Sequence, residues 1–152
     1  MMTEKQEGCA ETIVVDASIE QCLKVITDFS SYPQFLENII ECKIVKKHPN
    51  GSMDVYTKAQ FYIKTVEYTL TFSFHKDGIS WVHTSHGPFS YNSGSWKLIP
   101  TKDGMTEATY TVNTSFNVWV PEFLKDFIIR KSLPSTMAAF KKRIEECKNL
   151  QL

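Results

Sequence analysis

Apolar and polar residues alternate strictly from Thr65 to Phe74. Val66, Tyr68, Leu70, Phe72 and Phe74 share one face, and Thr65, Glu67, Thr69, Thr71 and Ser73 share the other. Such alternation marks a strand with one dry and one wet side. The dry side is large and aromatic, so something sizeable must cover it. Residues 52–61 repeat the pattern, with Met53, Val55, Thr57, Ala59 and Phe61 on one face. Residues 105–118 do so again, with Ala108, Tyr110, Val112, Thr114 and Phe116 together.

Shorter strands are expected over 11–16, 40–47, 79–84 and 91–99. Pro49-Asn50-Gly51, His75-Lys76-Asp77-Gly78 and Lys102-Asp103-Gly104 supply the turns. Helical spacing occurs in two places. Ser18 caps a helix from about Ile19 to Asp28, with Gln21 at the capping-box position and Ile19, Cys22, Leu23 and Ile26 as its apolar stripe. Ser30-Ser31-Tyr32-Pro33 is expected to break it, because a residue before proline avoids the α region. Phe35, Leu36 and Ile39 suit one more short helical turn. From Pro121 a long amphipathic helix is expected, carrying Phe123, Leu124, Phe127 and Ile128 and then Leu133, Met137, Phe140 and Ile144. Pro134 should kink it or split it in two.

This order is strand, helix, about six hairpin-connected strands and a long terminal helix. A one-faced antiparallel sheet and one amphipathic helix make a two-layer α+β domain. A twisted sheet of six to seven strands curls, here around the terminal helix.

The chain has 152 residues and a formal net charge of zero, so one core is expected and no global field recruits nucleic acid. Its arginines are Arg130 and Arg143 alone, which weighs against DNA as a partner. Cys9, Cys22, Cys42 and Cys147 show no C-x-x-C spacing. Scattered thiols fit a reducing compartment, with Cys22 and Cys42 as small core residues. Residues 1–10 are polar and read neither as a signal peptide nor as a transit peptide. No stretch reaches the length of a membrane span. A cytoplasmic location is the default.

Two segments carry a resemblance. One is Asp28-Phe29-Ser30-Ser31-Tyr32-Pro33-Gln34-Phe35-Leu36. The other is Gly87-Pro88-Phe89 followed by Gly94-Ser95-Trp96-Lys97-Leu98-Ile99-Pro100. With the element order, they resemble the START-like helix-grip superfamily (SRPBCC), in its coenzyme Q-binding and polyketide cyclase/dehydrase branch. That branch also contains bacterial ribosome-association toxins. The resemblance covers residues 10–147 as one domain, with 1–9 and 148–152 as tails. It implies a curved sheet gripping the C-terminal helix around a hydrophobic cavity. The periodicity by itself establishes only a dry face.

Large residues on the dry faces (Phe61, Tyr68, Phe72, Trp81, Trp96, Tyr110) are interleaved with small ones (Thr57, Ala59, Gly94, Ala108, Thr114). Such a pattern either fills a core as a jigsaw or leaves an aromatic-walled tunnel. The resemblance favours the tunnel. Its expected walls are Val55, Phe61, Tyr68, Leu70, Phe72, Trp81, His83, Trp96, Tyr110, Val112, Phe127 and Ile128. Tyr68 or Tyr110 either donates a hydrogen bond to a ligand carbonyl or satisfies itself on backbone or water.

Catalysis has less support. No carboxylate is placed on the inward faces by the pattern, and no nucleophile stands with a base. His83 shares the face of Trp81 and is the best titratable candidate, although a lone histidine there is more often a core or rim residue. His83-Thr84-Ser85-His86 spells H-x-x-H, but on a strand its two histidines point to opposite faces, against metal binding. No cofactor motif occurs. The loop Ser85–Tyr91 reads either as a lid tipped by Phe89 or as a plain connection. His86 stands where the family often has an acidic residue, which weakens any loop-specific role.

The terminal helix carries Lys125, Arg130, Lys131, Lys141, Lys142, Arg143 and Lys148 against Glu122, Asp126, Glu145 and Glu146. This is either a solvated face or a docking surface for an anionic membrane or a ribosome. The sequence therefore points to a binder or carrier of a hydrophobic small molecule (a quinone, isoprenoid or acyl lipid), without chemistry. A polyketide cyclase/dehydratase-like enzyme and a ribosome-association partner remain as alternatives.

Overall fold

The computed structural model describes residues 7–61, 64–83, 89–116, 121–126 and 130–150. Its elements are β1 (Glu7–Val15), α1 (Ile19–Ile26), a 3-10 helix (Phe29–Gln34), β2 (Ile39–Lys47), β3 (Met53–Phe61), β4 (Lys64–His75), β5 (Gly78–His83), β6 (Phe89–Pro100), β7 (Thr106–Phe116), α2 (Glu122–Asp126) and α3 (Ser132–Leu150). The strands form one antiparallel sheet in the order β1-β7-β6-β5-β4-β3-β2. The sheet is curved and holds the C-terminal helix, which is the helix-grip fold.

The alternating residues sort as their period requires. Val55 pairs with Leu70, Phe72 with Trp81, Ile79 with Trp96, and Trp96 with Tyr110. These face α3, whose Leu133, Met137, Phe140 and Ile144 are all buried. Phe140 is the centre of the contact. Its ring lies 5.1 Å from Trp96, 5.2 Å from Phe35 and 5.4 Å from Tyr32, each near edge-to-face. That geometry suits the ring quadrupoles better than face-to-face stacking.

The capping box on α1 forms as expected. Gln21 N–H donates to Ser18 Oγ at 3.2 Å and Ser18 N–H to Gln21 Oε1 at 2.9 Å. Cys22 and Ile26 are fully buried, with Val25 beside them, and Cys42 is also a core residue.

α1 ends at Ile26, as expected, and the short helical turn expected at Phe35, Leu36 and Ile39 appears earlier, as the 3-10 helix with Pro33 inside it. Isolated i to i+3 turns make few demands on the proline nitrogen. Phe35 and Leu36 N–H both bond the Tyr32 carbonyl, and the Tyr32 hydroxyl reaches back to the Ile26 carbonyl. Phe29 is thereby driven into the core, 4.8 Å from Phe72.

Pro134 lies near the start of α3, and the residues at 130–131 just before it are π-helical, an irregularity of the kind expected next to a proline. Residues 127–129, where a split would fall, lie outside the described residues. α2 ends at Asp126 and α3 begins at Ser132. Phe123, expected on the apolar stripe, is 66% exposed.

Gly94 is packed closely on both sides. A Cβ there would collide with the Trp81 indole and with the Thr111 carbonyl oxygen. At this point the large and small residues mesh as a filled jigsaw, and the glycine is space for Trp81 rather than a gap.

The sheet has two edges. The end of β1 is tied to α3: Asp16 N–H donates to Glu145 Oε2 and Lys148 Nζ to Asp16 Oδ1, both at 2.9 Å. The other edge is β2, with irregular register at Ile39/Glu41 and Ile44/Lys46 and with Lys43, Lys46 and Lys47 exposed along it.

Candidate functional site

The expected lining residues divide by their surroundings. Val55, Leu70, Phe72, Trp81 and Trp96 stand on the face toward α3 and are buried. Tyr68, His83, Tyr110 and Val112 share that face but are only half-buried. Phe61 pairs with Lys64 at the end of β3. Phe127 and Ile128 lie outside the described residues, as do His86 and residues 84–88 of the expected lid.

Three tyrosines converge on the interior from different elements. Tyr32 comes from the 3-10 helix, Tyr68 from β4 and Tyr110 from β7. Burial pushes all three hydroxyls to higher pKa, and negative charge on Tyr110 or Cys42 would oppose ionisation of Tyr32 and Tyr68. All three therefore stay protonated donors across the physiological range. Cys42 is likewise pushed up to about 11 by burial, offset by its contact with Thr57 Oγ1 at 3.6 Å. It is an inert thiol rather than a nucleophile.

A row of polar side chains crosses the same face. The Trp81 indole Nε1–H donates to Asn92 Oδ1 at 3.2 Å. Asn92 pairs across the sheet with Thr114, and both are buried. The Thr114 hydroxyl has no hydrogen-bond partner among the described residues. His83, on β5, stands one step beyond the Val82–Ser93 pair, on the side of Asn92. Thr114 was recognisable in the sequence as polar on a dry face. Asn92 was not singled out, although it shares the parity of Gly94 and Trp96 and could have been found by counting.

The expectation of no inward carboxylate fails at Glu11. β1 pairs with β7 so that Glu11 opposes Tyr110 and Cys9 opposes Val112. Glu11 thus faces the interior, and its Oε2 is enclosed without a partner among the described residues. Face assignment on β1 depends on its register with β7, which the short apolar stretch 13–15 does not reveal.

A depression of about 400 Å³ lies in the cleft between α1 and α3 and is bordered by Lys24, Asp28, Phe35 and Arg143. Its walls are charged, and Arg143 is occupied by Gln34 Oε1 at 2.8 Å and by the Phe35 ring at 5.3 Å. It does not match an apolar cargo site. Among the described residues no cluster of His, Cys, Asp and Glu is placed to hold a metal, and no helix is long and apolar enough to cross a membrane.

A family model described as polyketide cyclase/dehydrase and lipid transport matches residues 15–141. No curated protein matches the chain in sequence. Solved structures share its fold at low identity. The Zhui aromatase/cyclase from Streptomyces sp. R1128 superposes with a TM-score of 0.82 at 11% identity, covering 94% of this chain and 96% of that one. A START superfamily protein from Mycobacterium smegmatis gives 0.80 at 18% identity, covering 91% and 97%. Human StAR-related lipid transfer protein 5 gives 0.76 at 13% identity, covering 90% and 74%. At such identities the likeness is one of fold.

Proposed function

The chain belongs to the polyketide cyclase/dehydrase and lipid-transport family, and from that premise we propose that it binds an apolar small molecule between sheet and α3 and carries it without bond making. The observation that supports this most is the state of Tyr68 and Tyr110. Both stand on the face toward α3 yet keep accessible surface that their neighbours Trp81 and Trp96 lack. An accessible side chain on the inward face, among buried neighbours, is what an internal space between sheet and helix would produce. That space is walled mainly by aromatic and aliphatic groups, the usual lining of a small-molecule site.

Affinity then comes from apolar area removed from water, at about 25 cal/mol per Å². Orientation comes from the few hydroxyl and amide groups on the wall. A quinone, isoprenoid or acyl lipid has the matching chemistry, a long apolar body with one or two oxygens. Cargo of this kind resides in membranes, and the exposed Phe123, with the exposed Arg130 and Lys131 further along the chain, offers an aromatic and basic contact for an anionic bilayer.

Native mass spectrometry tests the reading. Protein purified from cells should carry co-purifying lipophilic mass, and the emptied protein should take up decylubiquinone or palmitate saturably with one-to-one stoichiometry. A clean apo mass together with no saturable uptake of either probe refutes it.

Glu11 favours a second reading. A carboxylate facing the interior opposite Tyr110 can exchange a proton with a bound polyketone, as a cyclase/dehydratase-like activity requires. Incubation with a poly-β-ketone substrate distinguishes the two: turnover abolished by Glu11→Gln supports the enzyme, and unaltered substrate supports the carrier.

A further inference from the structure

We propose that Asn92 and Thr114 form a head-group subsite, which holds a carbonyl or hydroxyl oxygen at one end of the interior; this rests on the carrier reading above. The argument begins with the indole of Trp81. An indole N–H can only donate, so the Asn92 amide must turn its oxygen toward Trp81. The Nδ2 amino group is then directed away from the indole, with two hydrogens to give. Trp81 engages the oxygen end of the amide and leaves the amino end to other partners. Trp81 is itself wedged against Gly94, so the amide is held by a side chain that cannot swing aside.

Thr114 supplies the second group. It is 5% exposed, Asn92 is 8% exposed, and the two are direct cross-strand partners. Such partners have Cβ atoms about 5 Å apart, near enough for one oxygen to accept from both. The Thr114 Oγ1 is enclosed and unpartnered among the described residues. Buried hydroxyls are nearly always hydrogen-bonded, and an orphan costs stability. An unpaired hydroxyl beside an amide whose amino end faces away from the indole is the pattern of a site for an acceptor. A ketone or quinone oxygen fits it best: Nδ2–H and Oγ1–H both donate, and no charge has to be buried. A carboxylate is disfavoured, because no lysine or arginine accompanies the pair on this row.

The test uses two probes of the same shape, dodecan-2-one and 2-methyl-1-dodecene, in which the carbonyl oxygen becomes a methylene. Dissociation constants are read by displacement of bound 1-anilinonaphthalene-8-sulfonate from the full chain. The wild type should prefer the ketone by about tenfold, the effect of one or two buried hydrogen bonds. Thr114→Val and Asn92→Leu should each reduce that preference severalfold while leaving the alkene unchanged.

Thr114→Val has a second expected signature. It removes an unpaired buried hydroxyl, so the empty protein should melt no lower than the wild type. A lower melting temperature would mean that Oγ1 already has a structural partner, and would overturn the subsite. Equal binding of both probes by the wild type overturns the subsite and leaves the carrier reading standing. Binding of neither probe removes both.

Discussion

Phe140→Ala tests whether α3 is gripped as described. The ring is 3% exposed and touches Trp96, Phe35 and Tyr32 at 5.1, 5.2 and 5.4 Å. Truncation returns about 120 Å² of apolar burial, about 3 kcal/mol at ~25 cal/mol per Å². If the surrounding rings relax to fill about half of the vacated volume, the residual cavity adds about 1 kcal/mol at ~24 cal/mol per Å³. The total is about 4 kcal/mol, a large part of the stability of an ordinary domain. Urea unfolding followed by tryptophan fluorescence reads it directly. With a slope of about 2 kcal/mol per M, the midpoint should fall by about 2 M and the slope should stay constant. Phe140→Leu keeps most of the volume and should cost about 1 kcal/mol. A loss below about 1.5 kcal/mol for Phe140→Ala would refute the reasoning, since the helix would then not be seated by this ring.

Gly94→Ala should destabilise by about 2 kcal/mol or more, because the added methyl meets the Trp81 indole and the fixed Thr111 carbonyl; pairing it with a smaller residue at position 81 should recover part of the loss in thermal melts. Asp54 is held below the ordinary carboxylate range by hydrogen bonds from Thr71 Oγ1 (2.6 Å) and His48 Nε2 (2.9 Å). A depressed carboxyl contributes stability above its unfolded pKa and loses it as pH falls through the folded one, so Thr71→Val should raise the Asp54 pKa, read by NMR, and shift acid unfolding to higher pH. Phe123→Ser should leave thermal stability within about 0.5 kcal/mol, since the side chain is largely exposed, and should weaken sedimentation with phosphatidylserine vesicles; unchanged sedimentation would remove the membrane contact.

The parts of this fold that are legible in the sequence are those where one physical cause dominates. β3, β4 and β7 have long alternations, and the Ser18–Gln21 box is a local signal, so all four emerge from residues alone. The site is harder. β1 extends back to Glu7 through Glu7-Gly8-Cys9-Ala10, which lacks any apolar alternation and is a strand only because β7 pairs with it. Glu11 was hidden for that reason. The 3-10 helix across Pro33 is set by tertiary capture of Phe29 and Tyr32, and this outweighs the local preference before proline. Whether Gly94 is space or filler depends on the Trp81 rotamer, a long-range property that spacing does not encode.

The irregular, lysine-studded border at β2 has a consequence for how copies of the protein meet. A straight outer strand would offer its free amides and carbonyls as a template for the same strand of another molecule. Two kinks and the like charges of Lys43, Lys46 and Lys47 spoil that match. Crowded molecules therefore repel along this rim instead of zipping into ribbons, even though Ile40, Ile44 and Val45 lie in the open there.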